Sequence, residues 1–258
     1  MFKFFRHIRQ TLIIENKTSK YFKYAIGEII LVVIGILIAL QINNWNQNYQ
    51  TKKSNTVFIK KLISELDQNE MRLALLINDG SNGWPGLKTA VKHSDSLLKL
   101  TYEGLTKTDL DFVLNARIDA GGSKYSINTS TYEELINTGK LYTLGSDDLI
   151  KAVNNYFNLY KREEEYHSEN AEISEDALSN LKRGFFRIRL DYEMDSANFN
   201  IEAYPWYFDP SSDLYKNLQL SLFEIKEGQS LNLMKTQMMI DSTIAFKNKL
   251  INELNNSN

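Results

Sequence analysis

One pair of residues in the chain has the spacing of a metal site. Glu164 and His167 stand three residues apart in a stretch whose pattern predicts a helix. Di-iron helical bundles use this Glu-x-x-His spacing, because both side chains then point to the same side of the helix. Such a site needs a second pair and two more carboxylates, and the other histidines, His7 and His93, have no such neighbour. The surrounding Lys, Arg and Glu residues favour a solvated helix face with charge pairs, so we expect no metal and no cofactor.

Nucleophilic and phosphate chemistry lack their usual patterns as well. A serine nucleophile needs a positioned base, and the chain has no Gly-x-Ser-x-Gly sequence and only three histidines. Gly121-Gly122-Ser123 lacks the Lys-Ser/Thr helix start of a phosphate loop. Asp147 and Asp148 are explained as acids at the favourable end of a helix dipole. The sequence therefore favours a protein that is not an enzyme, with a membrane-bound hydrolase as the disfavoured alternative.

The element that must position everything else is an apolar stretch near the N-terminus. Residues 25–42 form a run of 18 residues with a single charge, Glu28. A helix of this length spans roughly 27 Å, close to the roughly 30 Å hydrocarbon core of a bilayer. In lipid the backbone must satisfy its own hydrogen bonds, which requires a helix. We predict an uncleaved transmembrane signal anchor over residues 25–45, since no small-x-small cleavage site follows; a removed signal peptide and a buried soluble helix are the alternatives.

The distribution of charge predicts the orientation of this anchor. Residues 1–28 hold six basic and two acidic residues, whereas residues 29–258 hold 24 basic and 30 acidic ones. Positively charged segments stay in the cytoplasm. We therefore expect a cytoplasmic basic amphipathic arm at 1–24, or alternatively a floppy tail that only fixes topology, and an extracytoplasmic helical domain at 46–258. The side chains expected at the membrane interfaces are Lys20, Lys23, Tyr24 and Trp45.

One face of the predicted membrane helix has the composition of a helix contact. Gly35 and Ala39 form a small-xxx-small pair, which lets two helices approach closely. Glu28 and Val32 fall on the same face at helical spacing, and an acidic side chain avoids lipid by facing a partner. The alternative is that Glu28 reaches the interface and the glycine has no special role. The expected partners are the lipid bilayer and either a second copy or another membrane protein.

The sequence around this helix has a recognisable signature. Residues 23–46 read KYAIGEIILVVIGILIALQINNWN, preceded by FFRHIRQ and followed much later by YEELINTGKL. These segments resemble a family of small Bacteroidota membrane proteins that carry a domain of unknown function. The resemblance implies a single-pass protein of a Gram-negative inner membrane. It implies no activity and no catalytic residues.

The rest of the chain is predicted to form an antiparallel helical bundle, so the fold class is mainly α. Apolar residues recur at helical steps, prolines are rare, and the absence of cysteine excludes a disulfide framework. The first helix is expected to continue to about 78 and to end in a turn at 79–86, and a second helix is expected at 87–100. Capping boxes are expected at Thr108/Asp111 and Ser130/Glu133, and a helix end at Gly139. Ser146 is expected to cap a helix that runs to about 183, and the last helix is expected at 213–254 with a possible interruption at Gly228.

Aromatic side chains crowd the segment 199–208, which also contains two prolines. Such a composition suits a binding ledge. It suits equally well a loop tucked over the end of the bundle, because aromatic rings bury well, and we favour this core interpretation. The residues of the possible ledge are Tyr204, Trp206, Tyr207 and Phe208.

Taken together, the sequence predicts a membrane-anchored, non-enzymatic interaction or scaffold protein of a bacterial inner membrane with a periplasmic helical domain. The alternative is an extracytoplasmic ligand sensor. A sensor would act through a separate membrane partner, because an arm of about 24 residues cannot hold an output domain. A net charge of −2 gives no reason to expect nucleic acid as a partner.

Overall fold

The computed structural model describes residues 18–78, 84–118 and 125–257. These residues are mainly helical, as predicted, and contain no β-strand. The α-helices are α1 Thr18–Asn78, α2 Leu87–Glu103, α3 Leu110–Asn115, α4 Ser130–Asn137, α5 Asp147–Asn180, α6 Phe185–Met194 and α7 Asp213–Ser257. Short 3-10 helices lie at Lys107–Asp109, Lys140–Thr143, Ile201–Ala203 and Pro205–Phe208.

The chain divides into two units, Met1–Val57 and Phe58–Asn258, which we call the N-terminal unit and the bundle unit. In the N-terminal unit, the apolar side chains of α1 are exposed all around the helix. An 18-residue window there has a mean hydropathy of 2.6 and contains no buried residue. By length and composition α1 is therefore able to cross a membrane.

In the bundle unit, α5 and α7 run antiparallel over most of their length. Lys249 Nζ donates to the Asp148 carbonyl at one end (3.0 Å), and Tyr156 shares a hydrogen bond with Thr243 further along (2.9 Å). Their long apolar faces pack against each other because buried residues recur every three or four positions on both helices.

The end of α1 and the whole of α2 lie along α7, one after the other. Lys247 Nζ of α7 lies 3.0 Å from Asp67 Oδ1 of α1, and Tyr215 OH near the start of α7 donates to the Thr101 carbonyl of α2 (2.7 Å). Both helices therefore run antiparallel to α7. The bundle unit is thus built on three long rods, namely α5, α7, and an interrupted rod made of α1 and α2.

Two large apolar clusters form the core of the bundle unit. The first joins α1, α4, the first half of α5 and the last half of α7. The second joins α2, α3, the end of α5, α6, the aromatic segment and the first half of α7. The largest fully buried side chains are Tyr207, Tyr215, Phe185, Leu62, Leu66 and Leu73.

Local signals in the sequence located several helix ends correctly. Ser146 caps α5, because its Oγ accepts from the Leu149 amide (3.2 Å), and Gly139 follows α4 with φ +69°. The capping box predicted at Thr108 was wrong: it forms two residues earlier, between Thr106 and Asp109. The possible interruption at Gly228 was also wrong, since α7 continues through it.

Candidate functional site

A layer of buried polar side chains separates the two apolar clusters. It lies where the middle of α5 meets the middle of α7, and its members are at least nine-tenths buried. Polar groups in such a position are costly unless they are hydrogen-bonded. We call this set the polar layer; it consists of Glu163, His167 and Ser174 on α5 and Gln229, Asn232 and Thr236 on α7.

Several members of the polar layer are hydrogen-bonded across the two helices. Asn170, beside the layer on α5, donates from Nδ2 to Asn232 Oδ1 (3.0 Å). Asn232 Nδ2 in turn donates to the His167 carbonyl (3.4 Å). Within α5, Ser174 Oγ donates to the Asn170 carbonyl (3.1 Å). The two bonds of Asn232 fix the register of α5 against α7, because a shift of one residue would leave buried donors unpaired.

Glu163 is the charged member of the polar layer and is 1% exposed. Its carboxylate accepts from Lys235 Nζ (2.8 Å) on α7 and from Arg162 Nη2 (2.7 Å) and Nε (2.9 Å) on its own helix. Burial alone would raise the pKa of Glu163, but the hydrogen bonds from Lys235 and Arg162 outweigh it and hold the pKa below its usual range. Glu163 is therefore ionised at neutral pH and ties α5 to α7.

His167 stacks on a tyrosine from the segment before α4. The ring centroids of His167 and Tyr125 are 4.8 Å apart with the planes 21° from parallel, and Tyr125 also stacks on Tyr160 at 5.9 Å. Within the described residues, neither His167 Nε2 nor Tyr125 OH has a hydrogen-bond partner, although both are buried. Burial lowers the pKa of His167 to about 4 and raises the pKa of Tyr125, so both side chains are neutral at pH 7.

Two polar side chains of α1 hold the segment that carries Tyr125. Asn69 accepts the Asn128 amide with Oδ1 (2.7 Å) and donates from Nδ2 to the Asn128 carbonyl (3.0 Å). Glu65 Oε2 accepts both the amide and the hydroxyl of Thr131 (2.9 and 2.6 Å). The position of Tyr125 over His167 thus depends on α1, which belongs to the same bundle unit from Phe58 onward.

Apart from Glu163, which is paired with Lys235 and Arg162, the polar layer offers neutral hydrogen-bonding groups, and Tyr125 adds an aromatic face. Among the described residues, no group of three or more His, Asp or Glu side chains could hold a metal ion. Glu164, the sequence neighbour considered with His167, accepts from Tyr160 OH instead (2.7 Å). The expectation of a solvated face was wrong for Glu163 and His167, because both are buried: Glu163 faces Lys235 of α7, and the ring of His167 lies against Tyr125.

Comparison with known families adds one result to this geometry. The model of a family of unknown function, DUF6090, matches residues 28–201. The chain belongs to DUF6090. No curated protein and no solved structure matches it. The DUF6090 match covers α1 from Glu28 and all of α5, so it includes Tyr125 and His167; it ends before α7, which supplies Asn232 and Lys235.

The predicted membrane-contact residues of this DUF6090 chain all lie on α1. Val32, Gly35 and Ala39 are exposed and Glu28 is half-buried. A Cβ added at Gly35 would have no atom within 4 Å. This arrangement leaves the small-residue face open, and its role as a helix contact stays a prediction.

The predicted interface residues are described only in part. Lys23 is exposed, and Trp45 is exposed and stacks on Tyr49 with ring centroids 6.4 Å apart. The side chains of Lys20 and Tyr24 lie outside the described residues, as does the arm up to residue 17. The interface role of all four stays a prediction.

The aromatic ledge residues are divided between core and surface. Tyr207 is fully buried, and its OH donates to the Thr106 carbonyl (3.0 Å). Tyr204 OH donates to Asp191 Oδ2 (2.5 Å), and both Tyr204 and Trp206 pack against the second cluster. Phe208 is 38% exposed. Tyr207 therefore belongs to the core, and the binding role of the ledge stays a prediction.

Sequence reasoning missed the polar layer, although a signal for it exists. The buried positions of α5 continue at steps of three and four from Tyr156 and Tyr160 to Glu163 and His167. A polar residue that occupies the expected core position of an amphipathic helix is the signal of a buried polar contact. The many charged residues around Glu163 and His167 are typical of a solvated helix face and favoured the opposite expectation.

Proposed function

We propose that this chain is a membrane-anchored, non-enzymatic interaction protein of a bacterial inner membrane, with its helical bundle in the periplasm. The observation that supports this role is the change of character along α1. Its apolar residues before Val57 are exposed on every side, whereas Phe58, Ile59 and Leu62 are buried in the first cluster. A helix that exposes such a long apolar surface is stable in lipid rather than in water.

Charge supports the orientation of this anchor. Basic residues precede the apolar segment and the chain after it is acidic overall, which retains the N-terminus in the cytoplasm. A reporter enzyme that is active only outside the cytoplasm, fused after Asn258, should therefore be active. A fluorescent protein that folds only in the cytoplasm should be dark at the same position. The opposite result would overturn the orientation.

The anchoring itself is tested by extraction. The full chain should stay with the membrane fraction in alkaline carbonate and dissolve in mild detergent, because an apolar helix in the hydrocarbon core cannot be washed out. A variant with Ile34→Lys and Leu37→Lys, which places two charges in the segment, should lose most of its membrane retention. Retention of the variant at the level of the parent chain would contradict a membrane-spanning helix.

The interaction role is tested by purification from native membranes through a tag after Asn258. Stable recovery of one envelope complex at a fixed ratio would support an accessory subunit. Recovery of the chain alone, from membranes solubilised under several mild conditions, would argue against it.

A ligand sensor is the second candidate, and one observation favours it. His167 Nε2 and Tyr125 OH are buried without partners among the described residues, and a small polar ligand would supply the missing hydrogen bonds. A compound that binds there should raise the melting temperature of the full chain in detergent. The same compound should raise it much less in Tyr125→Phe, which lacks only the hydroxyl. An equal rise in both proteins would exclude the polar layer as its site.

A further inference from the structure

Two rows of apolar side chains lie on the outside of α5 and α7. Within each row the residues are seven positions apart. Seven residues are nearly two helical turns, so each row stays on one face of its helix. Because α5 and α7 are antiparallel neighbours, the rows run alongside each other. We call them the outer seam; it consists of Leu159, Tyr166 and Ile173 on α5 and Leu231, Met238 and Ala245 on α7.

Five of the six residues of the outer seam are exposed to solvent, and Leu159 is partly buried against the first cluster. Tyr166 is 44% exposed, Ile173 52%, Leu231 43% and Met238 42%. At the end that holds Leu159 and Ala245, the two helices leave a groove of 360 Å³ whose lining includes Tyr156 and Phe246. Single exposed apolar residues need no explanation, but a continuous apolar strip is typical of an interaction surface.

The outer seam is separate from the core contacts of α7. The core face of this helix carries Leu222, Ile225, Met239 and Leu250, all fully or almost fully buried. A helix on the surface of a soluble bundle normally has polar residues opposite its core face. On α7 that opposite face carries Leu231, Met238 and the neighbouring Met234, which is 54% exposed.

One more helix packed on the outer seam would complete a four-helix arrangement. The bundle unit has three long rods, and a four-helix bundle is completed by one more helix in the groove between two of them. Rows of apolar residues at seven-residue spacing are the surface that such a helix packs against. The outer seam fits a helix better than it fits a loop or a small molecule, because its apolar residues repeat every seven positions along both helices.

The charged residues beside the outer seam indicate which charge the incoming helix carries. At the end of the outer seam that holds Ile173 and Leu231, the exposed acidic residues one turn away are Glu169, Asp176 and Glu227. The basic residue one turn away, Lys235, is only partly exposed and is paired with the buried Glu163. Glu227 has Lys226 at 3.5 Å, but among the described residues Glu169 and Asp176 take part in no ion pair. Basic residues on the incoming helix would complement this end.

A second copy of the chain and an anionic membrane both fit less well. In a parallel dimer, the acidic end would face the same end of the other copy, which is repulsive. In an antiparallel dimer the two chains would enter their bundle units at opposite ends, because Phe58 lies in the cluster at the Leu159 end; two chains anchored in one bilayer need entry from the same side. Anionic lipid would be repelled by the acidic end.

We propose that the outer seam binds an amphipathic α-helix of another protein, with an apolar stripe along the seam and basic residues where it meets Ile173 and Leu231. This inference rests on the proposed interaction role and names its surface and the kind of partner. The chemistry is that of a helix in a groove, in which apolar residues at helical spacing supply affinity and the charges set orientation.

The absence of cysteine allows a direct test with a single fluorescent label. In Ser242→Cys, an environment-sensitive dye would sit beside the outer seam and leave its six residues unchanged. The probe is a synthetic helix of about six turns with leucine at seam spacing and lysine elsewhere, added to the full chain in zwitterionic nanodiscs. We expect a saturable blue shift, and binding weaker by about tenfold or more when glutamate replaces lysine in the peptide.

Two matched controls define the surface. The same dye at Tyr142→Cys, in the 3-10 helix Lys140–Thr143 where Tyr142 is exposed, should not respond to the peptide. Empty nanodiscs should give no saturable signal. Ile173→Ser with Leu231→Ser, which removes apolar contact without changing the charge, should weaken binding of the lysine peptide by at least about tenfold. Met71→Ser, at another exposed apolar residue of the bundle unit, should not. Circular dichroism shows whether each variant is folded.

Every other outcome overturns the inference. An absent response at Ser242→Cys, an equal response at Tyr142→Cys, or equal affinity for the glutamate peptide would exclude a basic helix. A shift that depends on protein concentration without peptide would assign the outer seam to a second copy, and a shift with anionic vesicles alone would assign it to the membrane. None of these results affects carbonate extraction or co-purification, so the proposed function fails separately.

Discussion

Gly228 of α7 lies directly against Ser174 of α5. A Cβ added at Gly228 would come within 2.6 Å of Ser174 Oγ and within 3.0 Å of the Asn170 carbonyl. The glycine therefore does not interrupt α7; it allows α5 and α7 to approach closely enough for the hydrogen bonds of the polar layer to form. A close approach of this kind is a common reason for glycine in a helix.

The variant Gly228→Ala should therefore destabilise the bundle. Alanine gains about 1 kcal/mol in helix propensity, but the overpacking against Ser174 and the Asn170 backbone costs roughly 1–3 kcal/mol. We expect a net loss of about 1 kcal/mol in chemical unfolding of the full chain in mild detergent. Ser174→Ala in the same chain should recover part of it, because the closest atom is then removed. A more stable Gly228→Ala variant would contradict the close approach.

His167 should make the bundle unit less stable in acid. Its pKa in the folded state is about 4, below the usual 6.5, because burial disfavours the charged form. Between these two values the unfolded chain binds a proton that the folded chain does not. The stability that depends on a neutral His167 is thus fully present above pH 6.5. Up to about 3 kcal/mol of it is lost as the pH falls toward 4.

The measurement is the free energy of unfolding at several pH values between 4.5 and 7.5. His167→Gln should flatten the dependence in this range. The control is His93→Gln: the pKa of His93 is lowered by partial burial and by the nearby Lys92 and Arg117, but the residue is not enclosed in the core. The same slope in the parent chain and in His167→Gln would show that this histidine is not buried in solution.

The ion pair between Lys235 and Glu163 should matter more than a surface pair. Lys235→Met leaves the buried Glu163 carboxylate with Arg162 alone, which we expect to cost about 1–3 kcal/mol. The matched control is Lys61→Met, because Lys61 and Glu134 form an ion pair of similar length (2.9 Å) whose side chains are 48% and 43% exposed. Exposed pairs contribute less than about 1 kcal/mol. Equal losses in the two variants would mean that Glu163 is solvated.

The small-residue face of α1 should control association of the chain in membranes. Gly35→Leu with Ala39→Leu adds bulk where two helices would meet, and should shift the full chain in mild detergent toward the monomer by sedimentation. Ile34→Leu with Ile38→Leu, on another face of the same helix, is the control and should leave the size unchanged. An unchanged size in the first variant would remove this contact.

The sequence was sufficient for the features that depend on local chemistry. Ser146 and Gly139 mark helix ends through their own backbone preferences, and the apolar spacing of α1, α5 and α7 predicts long helices. The capping box shows the limit of local patterns: Thr106-x-x-Asp109 and Thr108-x-x-Asp111 satisfy the same rule. The box that forms, Thr106-x-x-Asp109, is accompanied by a contact that exists only in the folded chain, the ion pair of Lys107 with Glu202.

The polar layer could not be derived from local chemistry in the same way. Glu163 lies in a highly charged stretch, and its burial depends on Lys235, which is 72 residues away in the sequence. The contact between His167 and Tyr125 depends on the irregular segment that Asn69 holds in place. Such long-range relationships leave only a faint trace in one sequence, namely a polar residue at a core position.

The division of the core by the polar layer has a consequence for how the bundle opens. On each side of the polar layer, the apolar side chains contact members of their own cluster. The two halves therefore share few of the interactions that make unfolding cooperative. We therefore expect the half around Tyr207 and Tyr215 to open while the half around Leu62 and Leu149 stays closed. Amide hydrogen exchange should then occur in two classes of protection, with the boundary near Gly228 on α7.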